Sequence, residues 1–234
     1  MASEVTLVIG GKRGSSWSLC AWLFLQHHGV AFRERALALD TPEGRAQLQR
    51  LSPSARVPLL LSSEFAVWES LAICEFAAEW FALPAAWPMT PSARAMARAV
   101  ALEMHAGFAH LRRELPFDAA RTPRPAALSA PAQAESARVC SIWRTARARC
   151  GSSGPWLFGQ FGIADAMFAP MALRFHQYAI PMQGPEREYV ELVLDHHAVQ
   201  AWMDSAQADP VSRLELPAAA DADPTSIRSV TLHD

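Results

Sequence analysis

Residues 5–18 read Val-Thr-Leu-Val-Ile-Gly-Gly-Lys-Arg-Gly-Ser-Ser-Trp-Ser, and this stretch indicates the fold of the N-terminal part of the chain. The apolar, β-branched run stops at Gly10-Gly11, which is typical of a short strand followed by a turn. From Ser15 to His28 apolar residues recur at helical spacing, and Gly29 is a natural end for that helix. The stretch therefore predicts a strand, a tight turn and a helix whose N-terminus carries several hydroxyl groups.

The residues that follow continue to alternate between strand and helix patterns. We predict a strand at 32–39, a helix at 42–51 with Thr41 as its N-cap, a hairpin of strands at 57–61 and 65–68, and a helix at 69–81. The predicted order over residues 5–81 is β-α-β-α-β-β-α. This is an α/β domain, which we bound at residues 1–82.

The pattern changes after Leu83, where a proline-rich segment at 83–91 indicates a linker. Beyond it only helices are predicted, at 92–115, 132–150, from about 162, at 185–196 and at 199–207. We expect Pro170 to kink the helix that begins near 162 or to end it early. The second domain is all-α and covers 92–215, and residues 216–234 have no periodicity and are expected to form a flexible tail.

Composition excludes several classes of protein. Of the 234 residues 51 % are apolar and 19 % charged, with a net charge of −2, which excludes a disordered chain and gives no indication of a nucleic-acid partner. No apolar run reaches the length of a membrane span, and no secretory leader is expected. The four cysteines and eight histidines show no metal-ligand spacing, so we expect no metal, free thiols and a cytoplasmic location.

Three short motifs carry chemistry. In the first, the Ser15–Ser18 hydroxyls lie at a helix N-terminus, which favours an anion such as a thiolate, although an N-cap serine is the simpler interpretation of that stretch alone. The second, Arg-Val-Pro at 56–58, marks a turn that can hold a cis bond before a strand. The third, Glu69-Ser70, opens a helix, where a cap is again the alternative.

Taken together in this β-α-β-α-β-β-α order, the motifs resemble the cytosolic glutathione transferase superfamily over roughly residues 4–208. The matching pieces are Ser-Ser-Trp-Ser at 15–18, Arg-Val-Pro at 56–58, Glu-Ser-Leu-Ala-Ile at 69–73 and the segment 161–170. The serine motif is similar to that of the zeta class and of zeta-like bacterial members. The resemblance implies a thioredoxin-like glutathione-binding domain followed by an all-helical glutathione transferase C-terminal domain, with glutathione as co-substrate.

The resemblance also implies roles for individual residues. Ser15, with Ser16 as runner-up, would donate a hydrogen bond to the glutathione sulfur, and Trp17 would lie beside it. The remaining glutathione-binding residues would be Arg56 near the glycyl end, Val57 and Pro58 along the cysteinyl part, and Glu69 and Ser70 at the γ-glutamyl end. Disulfide exchange is not expected, since Ser15 and Ser18 stand where thioredoxin-like oxidoreductases carry two cysteines.

The wall of the electrophile site is expected from the first long helix of the second domain. His105, Phe108 and Arg112 are the candidates. The alternatives are a core position for Met104 and Phe108, and a solvent-edge or hydrogen-bonded position for His105. Cys20 would lie inside the first helix and is a poor candidate nucleophile. At the segment 161–170 the family pattern has a hydroxyl residue where this chain has Gly162, and we expect Asp165 to reach back to the Gly162 N–H.

Three functions remain open at this point. The first is a serine-type glutathione transferase acting on a small hydrophobic electrophile. The second is a zeta-type glutathione-dependent isomerase or dehalogenase, and the third is a non-catalytic protein that keeps the fold for binding. The resemblance implies a homodimer, in which Trp68 and Trp80 would belong either to the interface or to the core.

Overall fold

The computed structural model describes residues 4–208, of which residues 6–80 form a sheet flanked by helices. The elements are β1 (Thr6–Gly10), α1 (Ser16–His27), β2 (Arg33–Leu37), α2 (Pro42–Leu51), β3 (Leu59–Leu61), β4 (Ala66–Trp68) and α3 (Ser70–Trp80). The predicted β-α-β-α-β-β-α order is confirmed. The predicted tail at 216–234 lies outside the described residues.

The sheet has the strand order β2-β1-β3-β4, with β2 parallel to β1, and with β3 antiparallel to both β1 and β4. Successive side chains of β1 point to opposite faces. Leu7 and Ile9 join the large core that includes α1 and α3, whereas Val8 packs with Leu48 of α2. The sheet is therefore covered on both faces, as in a thioredoxin-like domain.

Beyond the linker the described residues form helices and no strand, apart from two isolated β-bridges within 156–160. The helices are α4 (Pro91–Ala106), α5 (Ala109–Glu114), α6 (Ala130–Cys150), α7 (Ile163–Gln177), α8 (Pro185–Leu194) and α9 (His197–Ala208), with a short 3-10 turn at Gly151–Ser153. The all-helical character predicted beyond the linker is confirmed. One prediction is wrong: the helix expected over 92–115 breaks at Gly107–Phe108, where Phe108 has a φ of 61°.

Helix α7 is buried along nearly its whole length and packs against α1, α3, α4 and α8. Pro170 lies inside this helix, but the helix continues to Gln177, so the expectation of an early end is wrong. An interior proline costs about 3 kcal/mol of helix stability. Packing on several neighbouring helices outweighs that cost here, because apolar burial gives about 25 cal/mol per Å².

The N-terminus of α7 explains the glycine at 162. The Gly162 N–H donates to Asp165 Oδ2 at 3.0 Å, which confirms the predicted back-bond, and the Leu157 N–H donates to Oδ1 at 3.1 Å. A Cβ at position 162 would lie 2.9 Å from the Ala86 carbonyl oxygen. A hydroxyl residue therefore does not fit, because the linker backbone occupies that space.

Four histidines come together where α1 meets the junction of α8 and α9. His27 Nδ1 lies 2.9 Å from His196 Nε2, and the His27 ring stacks on Phe161 at a centroid distance of 4.0 Å. Adjacent histidines on a helix are expected to point apart, but here the His27 and His28 rings lie 5.0 Å apart and His27 contacts His196. Burial lowers the pKa of both His27 and His196 to about 4, with the neighbouring histidines adding to the shift.

Within residues 4–208, no helix combines the length and the apolar character that a membrane crossing requires.

Candidate functional site

The three motifs converge because of the register of the sheet. Val8 near the C-terminal end of β1 pairs with Leu59 at the start of β3, and Leu59 pairs with Trp68 at the end of β4. The segments 11–18, 56–58 and 69–70 therefore all leave the sheet at the same end. Motifs separated by up to 59 positions in the sequence are placed together by the strand order.

The hydroxyl groups at the start of α1 have different surroundings. Ser15 is the N-cap by position and is half-buried, but its side chain makes no cap bond. Its Oγ lies 2.6 Å from Ser18 Oγ, and Ser18 Oγ accepts a bond from the Gly10 N–H at 3.3 Å. Ser16 is only 8 % exposed and Ser18 is fully buried. Ser15 is thus the more accessible of the two predicted serines.

The Arg56-Val57-Pro58 segment contains a cis peptide bond between Val57 and Pro58, as the sequence allowed. Pro58 is buried, Val57 is half-buried, and the Arg56 side chain is exposed. The Arg56 carbonyl accepts a hydrogen bond from Ser52 Oγ at 3.0 Å. This bond holds the backbone of the turn, while the guanidinium remains in contact with solvent.

Glu69 and Ser70 stand at the N-terminus of α3, with Glu69 at a φ of 69°. Ser70 is almost fully buried, and its hydroxyl contacts Met167 Sδ of α7 at 3.8 Å. The hydroxyl expected to meet a ligand is therefore directed at the second domain. Helix geometry leaves the first N–H groups of α3 without partners inside the helix, and these favour an anion.

Trp17, His105, Arg112 and Glu69 form a row of contacts between the two domains, which we call the interdomain row. The Trp17 ring lies 5.0 Å from the His105 ring, and the Arg112 guanidinium lies 4.5 Å from the centroid of Trp17. His105 Nε2 lies 3.3 Å from Glu69 Oε2. Two of the predicted electrophile-site residues thus touch two of the predicted glutathione-site residues.

Arg112 is also tied to the end of α4. Its Nε donates to the Gly107 carbonyl at 3.0 Å, and a terminal N–H donates to the Met104 carbonyl. Burial lowers its pKa from the ordinary value, although Cys20 and Glu135 oppose the shift. Arg112 therefore satisfies carbonyl groups at a helix C-terminus while it covers the face of Trp17.

Phe108 is placed differently from His105. It is 6 % exposed, belongs to the main core and caps α5, so it does not share a helix face with His105. The structure therefore places Phe108 in the core, which was the alternative to a position in the electrophile site. Cys20 is fully buried and donates to the Ser16 carbonyl at 3.4 Å, and burial raises the pKa of its thiol to about 12.

The turn between β1 and α1 is held by the second domain, which the sequence did not predict. Arg13 forms a two-bond ion pair with Asp118 at 2.7 and 2.8 Å, and the Ala119 N–H donates to the Arg13 carbonyl at 2.8 Å. The Trp202 indole N–H donates to the Lys12 carbonyl at 2.9 Å. We call these contacts the turn clamp. In the sequence, the only indication of these contacts was the presence of two basic residues, Lys12 and Arg13, in the turn.

Three cavities in the described part of the chain lie elsewhere. They have volumes of about 820, 830 and 390 Å³ and lie against α7 and α8, beneath the linker, and beside His27. None of the three is lined by Ser15, Glu69 or His105. Over residues 4–208 no His, Cys, Asp and Glu side chains group as a metal site would require. The candidate site is therefore identified from the three motifs that meet at one end of the sheet, and not from a cavity.

Comparison with known proteins gives the fold independently. The sequence model of the family "Glutathione S-transferase, N-terminal domain" matches residues 14–80. A comparison with curated protein sequences finds no match. The fold is that of the glutathione transferases: a thioredoxin-like domain followed by an all-helical domain.

Solved structures resemble the whole described architecture. A glutathione transferase homolog from Burkholderia gl BGR1 with bound glutathione is 24 % identical, with a TM-score of 0.68, covering 88 % of this chain and 99 % of that one. A Tau class glutathione S-transferase from mango is 18 % identical, with a TM-score of 0.67 and coverages of 89 % and 96 %. A maleyl pyruvate isomerase, a bacterial zeta-class protein, is 20 % identical, with a TM-score of 0.66 and coverages of 88 % and 98 %.

Proposed function

We propose that the protein is a glutathione transferase in which the Ser15 hydroxyl stabilises the glutathione thiolate for attack on a small hydrophobic electrophile. The observation that supports it most is the half-buried Ser15 Oγ, free of cap bonds, at the end of the sheet where cis-Pro58 and the N-terminus of α3 converge. Ser16 is the runner-up, and its burial makes it the weaker candidate.

The energetic task is modest. A thiol with a pKa near 8.5 is only a few per cent thiolate at pH 7, and lowering that pKa by about two units needs about 2.7 kcal/mol. A hydrogen bond to a charged group contributes roughly 1.5–3 kcal/mol, and a helix N-terminus adds about 0.3–1 kcal/mol. Ser15 acts as a donor to the sulfur and does not need to lose its own proton.

The rest of glutathione would lie along the same end of the sheet. The Val57 backbone before Pro58 would pair with the cysteinyl part, with Trp17 beside it and Arg56 near the glycyl end. Glu69 would hold the γ-glutamyl ammonium. Since the Ser70 hydroxyl contacts Met167, we assign the γ-glutamyl carboxylate to the Ser70 N–H at the start of α3.

The electrophile would meet the sulfur at the interdomain row. His105 and Arg112 are the second-domain side chains beside Trp17, while Phe108 supports them from the core. We assign glutathione binding to residues 1–82 and the electrophile wall to residues 92–215, joined by the linker 83–91. We place the protein in the cytoplasm, where its thiols would stay reduced.

The test compares two serine variants. Conjugation of glutathione to an aromatic halide is measured at neutral pH for the wild type, Ser15→Ala and Ser16→Ala. We expect Ser15→Ala to lose at least about tenfold in kcat, the equivalent of one hydrogen bond, and Ser16→Ala to retain most activity. Unchanged turnover in both variants would make the serine assignment wrong. Absence of glutathione binding by calorimetry would favour a non-catalytic binding protein.

A zeta-type isomerase or dehalogenase is the second candidate. It is favoured by the serine motif and by the likeness to the zeta-class maleyl pyruvate isomerase. Assays with maleylacetoacetate-like substrates and α-haloacids separate the two candidates. Turnover that leaves the glutathione concentration unchanged would assign the isomerase, whereas loss of free thiol with an aromatic halide assigns the transferase.

We also propose a homodimer that uses the exposed aromatic face of the first domain. Trp68 and Trp80 are 41 % and 47 % exposed, and Phe65 and Phe76 pack beside Trp80. A second copy would cover these rings. Light scattering on Trp68→Ser/Trp80→Ser should give half the mass of the wild type, and a monomeric wild type would contradict the proposal.

A further inference from the structure

The Ser15 and Ser18 hydroxyls form a hydrogen bond, and the structure indicates which of them is the donor. The two oxygen atoms are 2.6 Å apart, so one hydroxyl must donate to the other. The Gly10 N–H, which can only donate, already occupies one lone pair of Ser18 Oγ at 3.3 Å. The direction of the remaining bond follows from where the Ser18 proton can go.

Ser18 is fully buried, so its proton has no access to water. Among residues 4–208, the acceptor in contact with Ser18 Oγ is Ser15 Oγ. If Ser15 donated instead, the Ser18 proton would stay buried without a partner, which costs about as much as a lost hydrogen bond. The bonds therefore run from the Gly10 N–H to Ser18 Oγ, and from the Ser18 O–H to Ser15 Oγ.

We infer that Ser18 is a positioning residue: its buried hydroxyl donates to Ser15 Oγ and so leaves the Ser15 proton available to the ligand. This inference rests on the proposed function, in which that ligand atom is the glutathione sulfur. A hydroxyl that accepts a bond is also a stronger donor, because chains of hydrogen bonds polarise one another. Ser18 thus acts on the thiolate only through Ser15.

The same geometry gives a reason for two serines at positions 15 and 18. In this arrangement the second serine is one helical turn beyond the first and points at it from inside the protein. If residue 18 had no donor, the Ser15 hydroxyl could rotate, and its proton could then bond to acceptors other than the ligand. Thioredoxin-like oxidoreductases carry a Cys-x-x-Cys motif at this turn. Ser18 occupies the position of the second cysteine, and here its hydroxyl orients the hydroxyl of Ser15.

The experiment measures the pKa of glutathione bound to the full chain, by ultraviolet absorbance of the thiolate. We expect Ser18→Ala to raise that pKa by about one unit, a roughly tenfold loss of thiolate at a fixed pH below it. Ser136→Ala is the control, since it removes another buried serine hydroxyl, 8 % exposed, from α6. The control should leave the thiol pKa unchanged.

Affinity for S-methylglutathione separates positioning from a general structural effect. This probe has no ionisable thiol, so its Kd should change by less than about twofold in Ser18→Ala if the site is otherwise intact. Ser18→Cys is the second variant, similar in size but with only a weak donor, and it should show a rise of the same sign. It keeps the test valid if Ser18→Ala does not fold.

A double-mutant cycle completes the test. In the Ser15→Ala background, Ser18→Ala should add less than about 0.3 of a pKa unit, because the residue it acts through is gone. An unchanged thiol pKa in both Ser18 variants, or fully additive shifts, would overturn the inference while leaving Ser15 as the donor. A wild type that neither binds S-methylglutathione nor lowers the thiol pKa would instead remove the proposed function, and the inference with it.

Discussion

Ser15 and Cys20 stand five positions apart at the start of α1, and burial gives them opposite chemistry. Ser15 is half-buried at the end of the sheet, whereas Cys20 is fully enclosed and bonded to the Ser16 carbonyl. Burial holds the pKa of the Cys20 thiol at about 12, so almost no thiolate exists at neutral pH. Only a thiolate is an effective nucleophile, and Cys20 is therefore inert in the folded protein.

Thiol labelling tests this difference. In the native protein we expect a maleimide to modify the half-buried Cys150 first, and Cys140 more slowly because burial raises the pKa of its thiol to about 11. Cys20 and Cys74 are fully buried and should react only on unfolding. Mass spectrometry after timed quenching identifies the modified positions, with a denatured sample as the control. Labelling of native Cys20 as fast as Cys150 would contradict the assigned burial.

Prediction from sequence succeeded at positions whose role follows from the backbone. Ser15 at a helix N-terminus and Pro58 before a strand are recognisable from residue type and neighbours alone. The contact between the Ser15 and Ser18 hydroxyls was not predicted, because it depends on which way two side chains turn. The placement of the Ser70 hydroxyl against Met167 was missed for a similar reason, since 97 positions separate the two residues.

At the scale of elements, the N-terminus of α7 shows how one buried carboxylate organises a helix. Asp165 accepts from two backbone N–H groups, those of Leu157 and Gly162, and so joins the loop before α7 to its first turn. The first turn of α7 also contacts the linker, because the Ile163 N–H donates to the Ala86 carbonyl at 3.0 Å. This carboxylate therefore helps to fix the position of a helix that packs on both domains.

We expect Asp165→Asn to lower the free energy of unfolding by about 1–3 kcal/mol, since an amide N–H would face one of the two donors. Urea denaturation followed by circular dichroism measures the change. Asp195→Asn, at an exposed C-terminal position of α8, serves as the control and should shift stability by less than about 0.5 kcal/mol. Equal effects of the two substitutions would refute the assigned role of Asp165.

The break at Gly107–Phe108 marks a limit of periodicity as evidence for a continuous helix. Met104, Phe108, Leu111 and Leu115, which are spaced three or four residues apart, are all buried. Periodicity, however, reports which side chains face the core and not whether the backbone between them stays helical. The left-handed conformation of Phe108 separates α4 from α5.

At the scale of the whole molecule, the histidine cluster joins the two domains in a pH-dependent way. His27 ends α1 of the first domain, and His196 precedes α9 of the second. Both have a pKa lowered from 6.5 to about 4, so the folded state holds them neutral while the unfolded chain protonates them at a higher pH. Their contribution to stability is therefore complete above about pH 6.5 and is lost as the pH falls toward 4.

We expect the double variant His27→Gln/His196→Asn to lose less stability than the wild type between pH 6.5 and pH 4.5. Asparagine is chosen at 196 because His196 Nδ1 accepts from the Ala198 N–H at 3.1 Å, and asparagine retains that kind of cap. Thermal unfolding at several pH values gives the slopes. His176→Gln, outside the cluster, is the control, and parallel slopes in the double variant and wild type would show that the cluster does not titrate as described.

The two-domain organisation itself could be predicted, because alternating and purely helical patterns meet at the proline-rich segment 83–91. The contacts between the domains could not. The pair Arg13–Asp118 spans 105 positions and the Trp202–Lys12 bond spans 190. Neither residue type nor local spacing carries information about partners so far apart in the chain.

The turn clamp has a consequence for how the protein is made. The backbone that presents Ser15 is synthesised early, but Asp118, Ala119 and Trp202 leave the ribosome much later. The serine turn of the first domain therefore acquires these anchors only after α9 has been added. The candidate site therefore depends on contacts from both domains, and a fragment limited to residues 1–82 would carry the serine motif without the turn clamp.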